Sequence, residues 1–313
     1  MCTSIGNDKV VVFPKGDPLQ AIEYTFPYTG AAPFGMAIAP RGGAWVTASG
    51  GLRDYAEEGS SLVKLELKKD TLVETFRTQL GNRLRVVEVD SLGNAWVASL
   101  GDNTIYGFTP KGESLGGYHL DNTPKGFTGG GVKGPWGLCI DGEDHVWVGN
   151  FGPLMFFSKF SEGGVSNIWG GVSKICGANP KTWPPGKKTG DPLSPASRFT
   201  VQSAGEPVLL HDGSDLYSQG TEGKGDDEIS YAPIMRTTSV QIDQAGNLWN
   251  ANNWKPNFNT DVGFFGIFNA DGNPIIEEEA SNPFGDGIII YVGLAPPPPS
   301  PKKTHESNKK AAK

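Results

Sequence analysis

The chain carries little charge: Asp, Glu, Lys and Arg make up 19% of its 313 residues. That charge sums to −7, and an acidic chain offers no basic face to a nucleic-acid backbone. Cysteine is scarce. Cys2, Cys139 and Cys176 have no zinc-site spacing and allow one disulfide with a free thiol, or none. No window holds about 18 consecutive apolar residues, the run that marks a membrane-crossing helix. No secretory leader is visible in residues 1–30, where no long apolar core follows a positive charge. The Asn-x-Ser/Thr triplet is absent, so no N-glycan site is indicated. No stretch longer than about ten residues keeps helical i, i+3, i+4 spacing, which argues against helical and α/β folds.

Glycine and proline are plentiful, at 44 and 24 residues, and 37% of the chain is hydrophobic. That is enough for a core, built from short strands and many turns. The strands repeat. Residues 135–150 read PWGLCIDGEDHVWVGN, an alternating apolar strand, a polar turn and a second strand with a tryptophan. The same pattern recurs at 33–49, 84–99 and 238–253. The marker tryptophans Trp45, Trp96, Trp147 and Trp249 are spaced by 51, 51 and 102 residues. A fixed long period means repeat architecture.

Further alternating segments follow each marker, so a repeat is a meander of four strands. A lone meander cannot bury both faces, and stacking meanders around an axis makes a β-propeller. Each marker tryptophan should then be buried between neighbouring sheets. Asp90, Asp141 and Asp243 are read as turn residues. Residues 8–294 span between five and six periods of 51, and we expect six four-stranded blades. Closure is expected from pairing the N-terminal strands (9–27) with the C-terminal strand (287–294), which removes the exposed edges.

The pattern Pro-x-Gly, alternating apolar residues, Asp-x-x-Gly-Asn-x-Trp resembles the NHL-repeat and SMP-30-like propellers. It is also similar to the repeats of virginiamycin B lyase. The resemblance covers residues 8–294 apart from 176–232. It implies the fold and leaves function open, because those families include lactonases, a lyase and interaction modules. The lyase resemblance implies paired histidines and a glutamate around a divalent metal. Here His119, His145, His211 and His305 share no repeat position. The lactonase resemblance implies a metal held by polar residues of inner strands at one end of the channel. The matching positions are Ser99, Asn150 and Asn252, with Asn253 adjacent. Such an asparagine ring could hold Ca²⁺ or another divalent metal, or could simply cap strand ends.

Other candidates come from the residues alone. Asp226, Asp227 and Glu228 form an acidic loop that could bind calcium or stay solvated. Trp183 and Trp254 lie off the marker positions beside Pro and Lys, suiting a carbohydrate or protein contact. Cys139 and Cys176 are expected to pair as a disulfide if the protein is secreted. Gly112-Glu113-Ser114-Leu115-Gly116 matches a nucleophile-elbow string, but falls in a hairpin with no strand-to-helix turn. Gly129–Gly134 matches a dinucleotide pattern without opening a helix.

On the 51-residue beat, position 198 should be tryptophan and is Arg198. Residues 176–232 are therefore read as a degenerate blade or a long insertion, the expected place for a ligand contact. Residues 295–313, proline-rich and then lysine-rich, are expected to be a disordered tail that tethers the domain or carries O-glycans. The functional expectation is an extracellular or surface-associated propeller that binds a protein or carbohydrate partner. A metal-dependent lactonase- or lyase-like enzyme and an intracellular NHL-type scaffold are the alternatives.

Overall fold

The structure is a computed structural model that describes residues 1–40, 42–50, 59–151, 171–196, 198, 199, 221, 222, 229, 230, 237–252 and 287–298. It is all-β apart from short 3-10 turns. β1 (Cys2–Ser4), β2 (Lys9–Val12) and β3 (Ile22–Thr25) form an antiparallel sheet. A four-stranded sheet follows, made of β4 (Pro33–Ile38), β5 (Ala44–Ala48), β6 (Ser61–Lys68) and β7 (Thr71–Gln79). The next sheet contains β8 (Leu84–Val89), β9 (Ala95–Ser99) and β10 (Thr104–Phe108), and another contains β11 (Pro135–Ile140), β12 (Val146–Asn150) and β13 (Val172–Ile175). β14 (Thr221–Glu222) pairs with β15 (Ile229–Ser230). The last sheet joins β16 (Thr237–Ile242), β17 (Leu248–Asn252) and β18 (Gly287–Tyr291).

Within the last four multistranded sheets the order is that of the sequence, and the leading strands stack in series. β1 touches β4, β4 touches β8, β8 touches β11, and β11 touches β16. First strands lined up side by side, with later strands running outward, is the propeller-like arrangement. Two glycines of the Pro-x-Gly motif permit this approach. A Cβ on Gly35 would lie 2.5 Å from the Arg85 carbonyl oxygen, and one on Gly137 would lie 2.8 Å from Ser239 Cα. β4, β8, β11 and β16 each carry a bulge near the start, between Pro33 and Met36, Leu84 and Val87, Pro135 and Gly137, and Thr237 and Ser239.

The core lies between sheets. Trp45, Trp96 and Trp147 are fully buried, as expected, whereas Trp249 is 39% exposed. An aromatic from farther out in the same repeat meets each buried ring: Phe76 at 5.6 Å, Phe127 at 5.9 Å and Phe199 at 5.7 Å between centroids. Phe76 and Phe127 each follow their tryptophan by 31 residues, and Phe199 follows by 52. Phe199 therefore occupies the outer position of the Trp147 sheet, where it bridges to Val172. The first part of segment 176–232 belongs to that sheet as well, since Ile175 bridges to Pro192. Residues 192 and 199 thus extend the outer edge of the Trp147 sheet.

The N- and C-terminal strands pair within separate sheets. β18 pairs with β17 over five residue pairs, while β1 and β3 both pair with β2. The open edge of β17 takes the C-terminal strand, and the expected pairing between the two termini is not seen among the described residues. The alternating run 263–268, which the sequence offers as the third strand of that repeat, lies outside them. Of the tail, residues 295–298 are described. Ala295 is buried and its amide donates to Gly246 O, while Gly142 N donates to Pro296 O. Residues 299–313 lie outside the described residues.

The expected disulfide is corrected too. Cys139 and Cys176 are free thiols, both buried. Cys139 lies opposite Trp147, and Trp147 lies opposite Lys174, so β12 stands between the strand of Cys139 and that leading to Cys176. Two strand spacings of about 4.8 Å exceed the reach of a disulfide. Burial, then the neighbouring acidic groups Glu88 and Asp141, pushes the Cys139 thiol up, so it remains protonated.

Burial also raises the Glu88 carboxyl to about 7. Its folded value lies above its unfolded value near 4.3. The fold therefore favours the protonated form, and stability is lost as pH rises from about 4 through 7. Glu88→Gln should raise stability by about 1–3 kcal/mol at pH 8 and leave it nearly unchanged at pH 4. Urea denaturation at the two pH values measures the difference.

Candidate functional site

The turn after each leading strand is built the same way. Asp90 Oδ1 accepts from the amides of Leu92 and Asn94, and its Oδ2 accepts from Asn94 Nδ2 and Trp96 Nε1. Asp243 does the same for Ala245, Asn247 and Trp249. These donors, the Trp249 indole first, hold the half-buried Asp243 carboxyl down to about 2. At the third turn, Asp141 accepts from Glu143 N, His145 N and Trp147 Nε1, and Lys174 Nζ lies 3.1 Å from its Oδ2. Burial alone would raise Asp141, but the contacts from His145, Lys174 and Trp147 outweigh it and hold the carboxyl below its usual range. These aspartates are more than turn residues, because each fixes the orientation of its marker tryptophan.

The channel-end candidates are largely consumed by structure. Ser99 is buried, with its hydroxyl bonded to both Asn82 N and Asn82 O. Asn150 is buried, accepts from Lys133 N, and donates to Val148 O, Gly171 O and Ser173 Oγ. It caps strand ends. Asn252 ends β17; its side chain, and Asn253, Trp254, Asp226, Asp227 and Glu228, lie outside the described residues. Trp183 is half-buried, and its indole donates to Gly177 O. His145 is buried in the third turn with Nε2 3.1 Å from Thr182 O. Among the described residues, no group of three or more His, Cys, Asp and Glu side chains is placed to hold a metal.

A different group comes together at the bulges. Phe34, Arg85 and Trp136 stand at matching places on β4, β8 and β11, just after the strand starts. A bulge turns a side chain away from the ordinary pleat. Here it gathers the three residues from three sheets. The Arg85 guanidinium carbon lies 4.9 Å from the Phe34 ring centre and 4.4 Å from that of Trp136. Phe34 and Trp136 meet edge to face at 5.8 Å, and Phe151 lies 4.6 Å from Trp136. Thr47 Oγ1 donates to Arg85 O and accepts from Gly35 N, locking the first bulge to the second.

Arg85 is fully buried. Its Nη1 donates to Ser49 Oγ at 2.5 Å and to Leu84 O at 3.3 Å. Its Nε and Nη2 are buried without a hydrogen-bond partner. Burial, then the nearby Arg83 charge, lowers the guanidinium to about 9, so it is still charged at neutral pH. An unpaired buried charge is costly. Phe34 and Trp136 are each only half-buried, so the aromatic walls reach the surface. The arrangement can receive an anion at Arg85 and a flat apolar face on the rings.

The fold is propeller-like. No protein-family model matches the sequence, and no curated protein does. Among solved structures, virginiamycin B lyase from Staphylococcus aureus is similar at 14% identity and a TM-score of 0.43, over 80% of this chain and 58% of that one. This chain thus spans little more than half the length of that lyase. A luciferin-regenerating enzyme is similar at 12% identity and 0.39, over 84% and 64%. A putative oxidoreductase (glucose dehydrogenase) from Thermus thermophilus is similar at 17% identity and 0.34, over 84% of both chains. The propeller assignment rests on the stacked leading strands.

Sequence reasoning passed over Phe34, Arg85 and Trp136 because they vary in type at one repeat position. The available signal was that very position: the residue after each strand start changes from Phe to Arg to Trp to Thr238 while its surroundings repeat.

Proposed function

We propose that the protein is a six-bladed β-propeller binding module, of the NHL/SMP-30-like kind and working outside the cell, that takes an acidic carbohydrate at the Phe34–Arg85–Trp136 cluster. One observation carries this reading: a fully buried arginine between two aromatic rings, with Nε and Nη2 unpaired. A uronate carboxylate supplies the missing acceptor, and its sugar face packs against the half-buried aromatic rings. The proline-rich segment serves as a tether to a surface or a second chain.

Calorimetry with oligogalacturonate and with its methyl-esterified form tests the proposal. The acid form should bind and the ester should bind at least tenfold more weakly, the worth of one charge-assisted contact. Arg85→Met should abolish binding and raise stability by about 1–3 kcal/mol, because the unpaired buried charge is gone. Undiminished binding by a folded Arg85→Met protein would place the contact elsewhere. Binding of an acidic peptide in preference to the sugar would replace the carbohydrate by a protein partner.

A further inference from the structure

The four marker hairpins share one backbone. The residue six before each tryptophan donates its amide to a carbonyl four residues on: Ala39 to Gly43, Asp90 to Asn94, Asp141 to His145, and Asp243 to Asn247. Three of these positions hold an aspartate that receives the indole Nε1–H. The first holds Ala39. With the carboxylate missing, Trp45 Nε1 is buried and has no hydrogen-bond partner.

A cation is nonetheless in place. Trp45 lies opposite Lys64 in the β5–β6 ladder, as Trp147 lies opposite Lys174 in the β12–β13 ladder. Lys174 Nζ sits 4.7 Å from the Trp147 ring centre and 3.1 Å from Asp141 Oδ2. Lys64 Nζ sits 5.5 Å from the Trp45 ring centre, and the position of the aspartate is held by Ala39. It donates to Pro110 O at 3.0 Å and stands 3.8 Å from Glu66 Oε1. An ammonium has three donors, so capacity remains.

Among the described residues, no hairpin side chain or tail segment crosses the gap next to this hairpin, unlike its counterparts. Between the second and third hairpins, Asp144 reaches across to Ser91 N and Ser91 Oγ. Between the third and the last, residues 295–297 lie across Gly142 and Gly246. Between the first and second, the position of Asp144 is taken by Gly93, and that of Ser91 by Pro40. A cavity of about 300 Å³ remains, walled by Ala39, Pro40, Trp45, Lys64, Glu66 and Gly93 among others.

We infer that this cavity is a carboxylate-binding site in which a ligand's carboxylate takes the place of the aspartate missing at Ala39. One carboxylate oxygen accepts from Trp45 Nε1, and Lys64 supplies the countercharge. Glu66 limits the site to a single negative charge. The site is separate from the arginine cluster and does not depend on the reading given there. The carboxylate belongs either to a small free acid or to an Asp or Glu side chain of a peptide.

The ¹⁵N-labelled full chain shows one indole N–H signal for each of its eight tryptophans, and the Trp45 signal is identified by its loss in Trp45→Phe. Titration with acetate, with a capped Asp-containing peptide and with chloride reads the site. Acetate should move the Trp45 signal saturably and leave those of Trp96, Trp147 and Trp249 in place. Ala39→Asp should place the signal at its shifted position without ligand and remove the response. Lys64→Met should weaken acetate about tenfold, the loss of one charge-assisted contact. Tighter binding of the peptide than of acetate identifies a peptide side chain as the ligand, and equal binding identifies a free acid. If Trp45→Phe does not fold, the unliganded shift in Ala39→Asp identifies the signal. No saturable movement, an equal movement with chloride, or an unchanged response in folded Ala39→Asp overturns the inference.

Discussion

Asp90→Ala should destabilise the protein by about 3–5 kcal/mol, measured by urea denaturation at neutral pH. The methyl group cannot accept from the Leu92 and Asn94 amides, the Asn94 side chain or the Trp96 indole, which the carboxylate now satisfies. Asp90, Asn94 and Trp96 are all buried, so water cannot take over these bonds freely. Asp90→Asn separates the two oxygens. It keeps an acceptor for the two amides but turns an NH₂ toward the Asn94 and Trp96 donors, and about half the loss should remain. A cost below about 1 kcal/mol for Asp90→Ala would mean that the hairpin orients its tryptophan without the carboxylate.

Trp147→Ala should cost about 3–5 kcal/mol, as large core truncations do. Its ring is buried against Phe199 and lies under Lys174. Removing it opens a cavity and takes away one donor to Asp141 and the ring beneath the Lys174 ammonium. Trp249→Ala should cost less, because that ring is already 39% exposed. Chemical denaturation of the two variants side by side tests the contrast, and equal losses would show that burial of the marker is not what stabilises its blade.

The all-β class, the marker hairpins and the burial of three tryptophans were legible because periodicity and turn chemistry are local properties of the chain. The carboxylate-to-indole bond was half legible. Asp and Trp recur six residues apart in three hairpins, with Asn four after the Asp in two of them, and turn chemistry alone accounts for only Asp and Asn. Phe76 and Phe127 kept the 51-residue beat openly, whereas Phe199 was displaced by the longer third repeat and read as part of an irregular segment. Arg85 was hidden for a different reason. A bulge redirects it, and bulges arise from how strands pair, which alternation along one strand does not record. The Cys139–Cys176 distance was likewise a property of strand order, set by β12 running between them.

The placement of residues 295–297 bears on how the domain would answer to force. A load applied beyond residue 298 reaches the Pro296 and Ala295 bonds to two neighbouring hairpins before it reaches β18. The strain is thereby divided between two hairpins. Peeling β18 residue by residue begins only after that anchorage has given way.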